Sequence, residues 1–317
     1  MVDMMRYLAR NLARLLLTVA GVMTVTFFLM RAIPGDPALY MLGDYATADA
    51  VANLRAKLGL DRPLLSQYAL FVRQTASGDL GHSVVTGQPA MAEVANSLPW
   101  SIALTLSGMA VAIAIGVPLG IVSASRQGTW LDQAVMVSAL LGISFPVFWI
   151  GLVAILLLSQ WAGLFPTLGA SGGDAGFWES IYHLALPAMV LGVSVAAYIA
   201  RLTRSAMLEV LGQDYIRVAR AMGVSESRIL YRLALRNALV PILAVIGVTF
   251  AWSLGNAILI EVVFSRPGLG TTIMKAVLAR DYQLVQAGLL VLATAVVLVN
   301  TLFNVLYGII DPRLRTQ

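Results

Sequence analysis

The chain has two lysines, Lys57 and Lys275, two histidines, His82 and His183, and no cysteine. Those few residues decide which reactions are open to it. A phosphate-binding loop needs G-x-x-x-x-G-K-[ST], whose backbone N–H groups and lysine hold a nucleotide. Neither lysine follows a glycine, so the sequence carries no ATPase site of that type. Neither histidine stands in a metal-ligand or metalloprotease motif, and each reads as a turn or interface residue. Without cysteine there is no disulfide, thiolate ligand or thiol nucleophile. No paired carboxylates or clustered histidines adjoin an apolar run, so no enzyme constellation emerges and no cofactor is expected on this chain.

What the chain does concentrate is positive charge, in "DYIRVARAMGVSESRILYRLALRNALVP", residues 214–241, with five arginines and two acids between apolar runs. Asp214 is expected to cap a helix that begins at Tyr215, and Gly223 to end it in the left-handed conformation glycine tolerates. Ser225 then caps a second helix, with Glu226 in its first turn. Tyr215, Val218, Ala219 and Met222 fall at i, i+3, i+4 and i+7, one apolar face, while Arg217 and Arg220 point elsewhere. A helix this short is marginal alone and buries too little to hold itself on a membrane, so it calls for a protein surface. Its small Ala219 and Ala221 permit close approach. In the second helix Arg228, Arg232 and Arg236 form a basic stripe suited to anionic lipid headgroups, with Ile229, Leu230 and Leu233 on the other side.

The elements that position this stretch are membrane spans. Hydrophobic residues make up 59% of the 317, and charged residues only 12%, against about a quarter in soluble domains. The mean hydropathy is +0.83. The formal net charge of +5 therefore reads as loop bias and not as a nucleic-acid surface. Crossing a bilayer takes about 20 apolar helical residues. Six stretches qualify: 12–30, 101–124, 133–158, 184–201, 239–260 and 286–310, none with Asp, Glu or Lys in its interior. The first is followed by Arg31 and "PGDP", not by a small-residue cleavage site, and reads as a retained span. With the N-terminus in the cytoplasm, the inner segments 1–14, 125–132, 202–238 and 311–317, counted with Arg201 at the edge of its span, hold 13 of the 21 basic residues. The positive-inside rule favours that orientation, with both termini inside.

Residues 31–100 form the only sizeable extramembrane segment, read as turns and short helices, with helical spacing at Val51, Leu54 and Leu58 and a stop at Gly59. Pro187 and Pro241 fall near expected helix starts, whereas Pro118 and Pro146 are interior and should bend their helices. Thr249, Ser253 and Asn256 make a polar stripe on the fifth span. Asn300, Asn304 and Tyr307 make another on the sixth, which Asp311 extends. Such stripes face either neighbouring helices or a water-filled path. Ser144, in "SFPVFW", joins them as a candidate path residue.

At this point the sequence resembles a family. "EVLGQDYIRVARAMGVSESRILYRLALRNALVP" is similar to the cytoplasmic loop of ABC importer permease subunits, most of all the dipeptide, oligopeptide and nickel group. The order of "IPGDP" (33–37), "LGLDRPLLSQY" (58–68), "GDLGHS" (78–83), "GVPLG" (116–120), "ARLTRSAMLEVL" (200–211), "FSRPGLG" (264–270) and "RDYQLVQ" (280–286) fits as well. The wider family's Glu-Ala-Ala before the loop glycine is here Arg217, Val218 and Ala219, and its later proline is Arg236; both departures bear on subgroup.

The resemblance implies an all-α polytopic membrane protein of six transmembrane helices with the type I importer (MetI-like) permease fold. It implies a first span within 1–30, an extracytoplasmic segment 31–98, a core of five helices over 99–311 with coupling loop 202–238, and a cytoplasmic tail 312–317. The coupling residues would be Asp214, Tyr215, Arg217, Val218, Ala219, Arg220, Ala221, Met222, Gly223 and Ser225. Implied partners are a second, paralogous permease subunit, two ABC ATPase subunits carrying ATP and Mg, an extracytoplasmic binding protein, and inner-membrane lipid. The alternative class is a carrier driven by an ion gradient. Such carriers keep ionisable groups in the membrane, and the span interiors have none.

Overall fold

The computed structural model describes residues 2–32, 36–42, 46–168 and 176–310. Residues 33–35 of the "IPGDP" motif, Asp311 and the tail at 312–317 lie outside the described residues. The elements are α1 (Val2–Ala32), α2 (Pro37–Leu42), α3 (Ala48–Leu58), α4 (Leu64–Ala76), α5 (Ala90–Ser125), α6 (Trp130–Ser144), α7 (Val147–Ala154) with a π turn over Ile155–Trp161, and α8 (Phe177–Leu211). Then follow α9 (Asp214–Ala221), α10 (Glu226–Arg228), a π turn over Ile229–Ala234, α11 (Leu235–Val263), α12 (Leu269–Leu278) and α13 (Tyr282–Ile310). Among the described residues the only strand-like pairing is an isolated bridge between His82 and Pro89.

Among the described residues, five segments are long and apolar enough to cross a bilayer: Arg10–Ala32, Ala90–Ser125, Phe177–Leu211, Glu226–Val263 and Tyr282–Phe303. The third expected span, 133–158, is a helix pair, Trp130–Ser144 and Val147–Trp161, bent by 100°, which makes six if the pair counts as one span. Pro146 causes the break. Its ring forces Phe145 into an extended conformation (ψ 134°), and the helix restarts with Trp149 and Ile150 donating to the Pro146 carbonyl. Pro118, expected to act likewise, lies within the unbroken helix α5. Pro187 and Pro241 are not at helix starts; both sit in helix interiors. Hydropathy begins at 184 and 239, but the helices begin earlier, through polar residues such as Glu179 and Asn237.

The chain forms two compact units. The first comprises Met1–Met4, Ser101–Pro267 and Val299–Gln317. In it α5 and α8 approach to backbone contact. A Cβ placed on Gly116 would lie 2.8 Å from the Ala196 carbonyl oxygen, and one on Gly120 would lie 2.6 Å from that of Ala200. Gly192 answers from α8, where a Cβ would come within 2.7 Å of the Gly108 carbonyl oxygen. Gly116 and Gly120 are the G-x-x-x-G spacing that lets membrane helices meet closely. Met109, Ala112, Ile199, Met207, Ala238 and Ile242 fill the core beside this seam.

The second unit comprises Met5–Trp100 and Gly268–Leu298. Its core is Met30, Ala90, Val94, Leu269, Ile273 and Leu284 with their neighbours. The helix expected around Val51–Leu58 is α3, capped by the Thr47 hydroxyl and ended at Gly59 with φ +64°. Helix α4 lies along α1, where Tyr68 and Phe71 meet Phe27, and the Tyr68 hydroxyl pairs with Thr24 at 2.7 Å. Asp281 is buried and joins distant segments. It accepts from the Ser83 hydroxyl (2.5 Å), the Val84 N–H (2.9 Å) and the Leu284 N–H (3.1 Å).

Candidate functional site: a short helix and the cleft above it

Helix α9 has eight residues and starts one residue earlier than the sequence suggests. Gln213, not Asp214, occupies the cap position, and it makes no side-chain cap bond. Asp214 sits in the first turn, where a negative charge is favoured, and pairs with Arg217 at 3.3 Å. The end is as expected. Gly223 takes φ +80°, its N–H donates to the Arg220 carbonyl, and the Val224 N–H donates to that of Ala219. That double closure is a Schellman motif, which only a left-handed residue completes cheaply. Ser225 precedes α10, but its side chain makes no cap bond.

The apolar residues divide differently from the expected single face. Ile216 and Ile229 are fully buried and Ala219 is 6% exposed, packed with Leu211, Val224 and Leu233 of the same chain. Tyr215, Val218 and Met222 are 45%, 55% and 72% exposed. At about 100° per residue, Ala219 lies between Tyr215 and Ile216 on the helix circumference, and the larger apolar group at 216 draws it inward. Ala219 therefore belongs to the inner face. The outer face keeps Tyr215, Val218 and Met222, with Arg217 and Ala221 also exposed.

Two side-chain links fix α9 on its support. Arg220 donates to Glu226 through Nε (2.7 Å) and Nη2 (3.3 Å), spanning the turn between α9 and α10. That carboxylate holds the Arg220 guanidinium above its ordinary pKa. Both groups are well exposed, so the pair sets an angle more than it adds stability. Asn237 of α11 donates to the Tyr215 hydroxyl at 2.8 Å. Neither link was read from the sequence, although Arg220 and Glu226, six residues apart across a glycine turn, are close enough to suggest one. Arg228, Arg232 and Arg236 are all exposed, as a headgroup-facing stripe requires. The π turn at 229–234 had no sequence signal.

A partly buried ion pair lies further up α8. Arg204 donates to both carboxylate oxygens of Asp132, Nε at 2.6 Å and Nη2 at 2.8 Å. The Ser123 hydroxyl and the Gly128 N–H also donate to that carboxylate. The ends of α5, α6 and α8 are thereby tied together close to where α9 begins.

At the break after α6 there is a cleft of about 340 Å³. Phe145, Pro146, Tyr198 and Trp252 line it together with Thr249 and Asn256. It is aromatic and apolar with a few hydroxyls and one amide. Of the candidate path residues, Thr249 and Asn256 reach this cleft. Ser253 is buried and donates to the Thr249 carbonyl, while Ser144 donates to that of Leu140, and neither lines it. Asn300 is half-buried on α13 and also outside the lining. The side chain of Asn304 and all of Asp311 lie outside the described residues. At its far end α11 carries Glu261, one residue past the expected span and fully buried. It accepts from the Ser101 hydroxyl at 2.5 Å. Nearby Arg266 is also buried, which pushes its guanidinium pKa down, opposed by the charge of Glu261.

Residues 116–316 match the family described as the binding-protein-dependent transport system inner membrane component, and residues 4–105 match that system's N-terminal membrane-component family. The "Dipeptide transport system permease protein DppB" of Alkalihalophilus pseudofirmus is 42% identical over 98% of this chain and 100% of its own length. The "Di/tripeptide transport system permease protein DppB" of Pseudomonas aeruginosa is 40% identical over 99% of this chain and 100% of its own. The Escherichia coli dipeptide permease DppB is 38% identical over 98% and 99%. Among solved structures, an inward-facing form of the MetNI methionine ABC transporter aligns with a TM-score of 0.57 and 19% identity, covering 70% of this chain and 98% of that one. That likeness is one of fold.

Proposed function

Because the chain belongs to the family of inner-membrane components of binding-protein-dependent transport systems, we propose that it is the permease subunit of an ATP-driven importer of di- or oligopeptides. The peptide cargo follows the names of its relatives, and the cleft suits it. An uncharged wall of aromatics and single polar groups admits varied side chains while leaving selection to another subunit. The matched family and relatives support the importer reading and not a carrier driven by an ion gradient.

The mechanism rests on α9. We place residues 31–98 outside the cell, the loop 202–238 and both termini inside, and the five-helix core over 99–311. Two ATPase subunits supply ATP and Mg, and this chain binds neither. A second, paralogous permease completes the path, and an external binding protein delivers the cargo. When ATP closes the ATPase pair, the docked α9 helices move together. Helix α8, which ends three residues before α9 begins, carries the movement toward the cleft, and the path opens outward. Hydrolysis then restores the inward-facing state.

The observation that carries this reading is the exposed trio Tyr215, Val218 and Met222 on a helix whose other face is already buried at home. A single cysteine is a clean probe in a chain that has none. Met222→Cys and Val218→Cys should crosslink to the ATPase subunit, and Ala219→Cys should not. Failure at both 218 and 222, with Ser227→Cys crosslinking efficiently, would overturn the docking assignment.

A further inference from the structure

The second unit holds a polar cleft of about 560 Å³ formed by the end of α1, helix α4, the loop at 79–84 and the first turn of α13. Arg31 is its most unusual member. The guanidinium stacks on Phe27, 3.8 Å from the ring centroid, and its Nε donates to the Gln67 side-chain oxygen at 2.8 Å. Gln67 is itself held, because its amide nitrogen donates to the Leu60 (3.2 Å) and Arg62 (2.8 Å) carbonyls. The fork is therefore aimed before any ligand arrives. Arg31 is half-buried, yet among the described residues no carboxylate pairs with it. The acid that shares the cleft, Asp79, is exposed and accepts instead from the Gly81 N–H at 2.9 Å.

A cation partly removed from water and left without a counter-charge is costly unless something supplies one. A planar fork fixed by stacking and by one hydrogen bond leaves its Nη groups for a carboxylate, the partner whose geometry matches it. The surrounding Gln74, His82 and Gln283 add polar groups around that position. We infer that Arg31 is the anchor of a carboxylate-binding site on the face placed outside the cell. The carboxylate comes either from the C-terminus of a free peptide or from an acidic side chain on the binding protein. This inference rests on the importer reading for its orientation, but the site is defined by geometry alone.

The test uses the assembled transporter in nanodiscs with a single cysteine at Gln74, an exposed residue of the cleft, and follows its labelling by a maleimide. Free dialanine should slow labelling while dialanine amide does not, if the source is a peptide terminus. Peptide-free binding protein should slow it, in a manner reversed by salt, if the source is a protein carboxylate. In either case Arg31→Gln should weaken the protection by at least about tenfold, the worth of a charge-assisted hydrogen bond. Arg31→Lys, which keeps the charge and the stacking but loses the fork, should fall between the two. If neither probe slows labelling, or if Arg31→Gln is protected as well as wild type, there is no such site. Stimulation of ATP hydrolysis by loaded binding protein, measured on the same samples, reports on the importer reading separately. Intact stimulation without protection would remove this inference alone.

Discussion

Replacing Ile216 by alanine should free α9 without touching its outer face. Ile216 is fully buried against Ala219 and Ile229, with Leu211, Val224 and Leu233 around them. The change removes three carbons, worth about 2.4 kcal/mol at ~0.8 kcal/mol each, and a cavity adds to that loss, for a total of about 3 kcal/mol. An eight-residue helix has almost no stability of its own to set against it. Amide hydrogen exchange across residues 212–224, in the permease without ATPase, should therefore quicken by roughly 100-fold. Val218→Ala is the matched control, because that side chain is more than half exposed. It should leave exchange within about twofold of wild type, as surface changes do, yet weaken ATPase docking. Equal exchange in Ile216→Ala and wild type, or equal loosening by Val218→Ala, would refute the two-faced account of this helix.

Gly120→Ala and Gly192→Ala should each lower the thermal stability of the solubilised protein by about 1–3 kcal/mol through overpacking at the α5–α8 seam, whereas Gly21→Ala, with nothing within 4 Å, should not. Asp132→Asn should cost about 3–5 kcal/mol by stranding Arg204, and replacing both partners with apolar residues (Asp132→Leu with Arg204→Met) should recover much of the loss in the same melt. Asp281→Ala strips the acceptor from the Ser83 hydroxyl and the Val84 and Leu284 N–H groups, so limited proteolysis should cut the 83–88 loop faster than in wild type.

Much of this fold is written locally. Gly59 and Gly223 end their helices because a left-handed residue is a property of one position, and the apolar windows find the membrane segments because burial in lipid is a property of one stretch. Pro146 announces a bend, although the 100° that follows depends on how α7 then packs. What lies between distant residues was not readable. Asp132 meets Arg204 across 72 positions and Ser83 meets Asp281 across 198, and no periodicity encodes either partner. The "GVPLG" motif drew notice for its proline, while its glycines make the contact. Ala219 went to the wrong face because spacing alone cannot say which of two neighbouring apolar arcs the rest of the chain will cover.

The glycine seam has a mechanical consequence. Where two rods touch main chain to main chain, neither can roll or slide past the other without collision, so α5 and α8 turn as one shaft. From Val190 to Leu211 that shaft is about 33 Å long at 1.5 Å per residue, close to the thickness of the hydrocarbon layer. A swing of α8 at Thr203 would thus carry α5 with it at Gly120, because the two main chains already touch there.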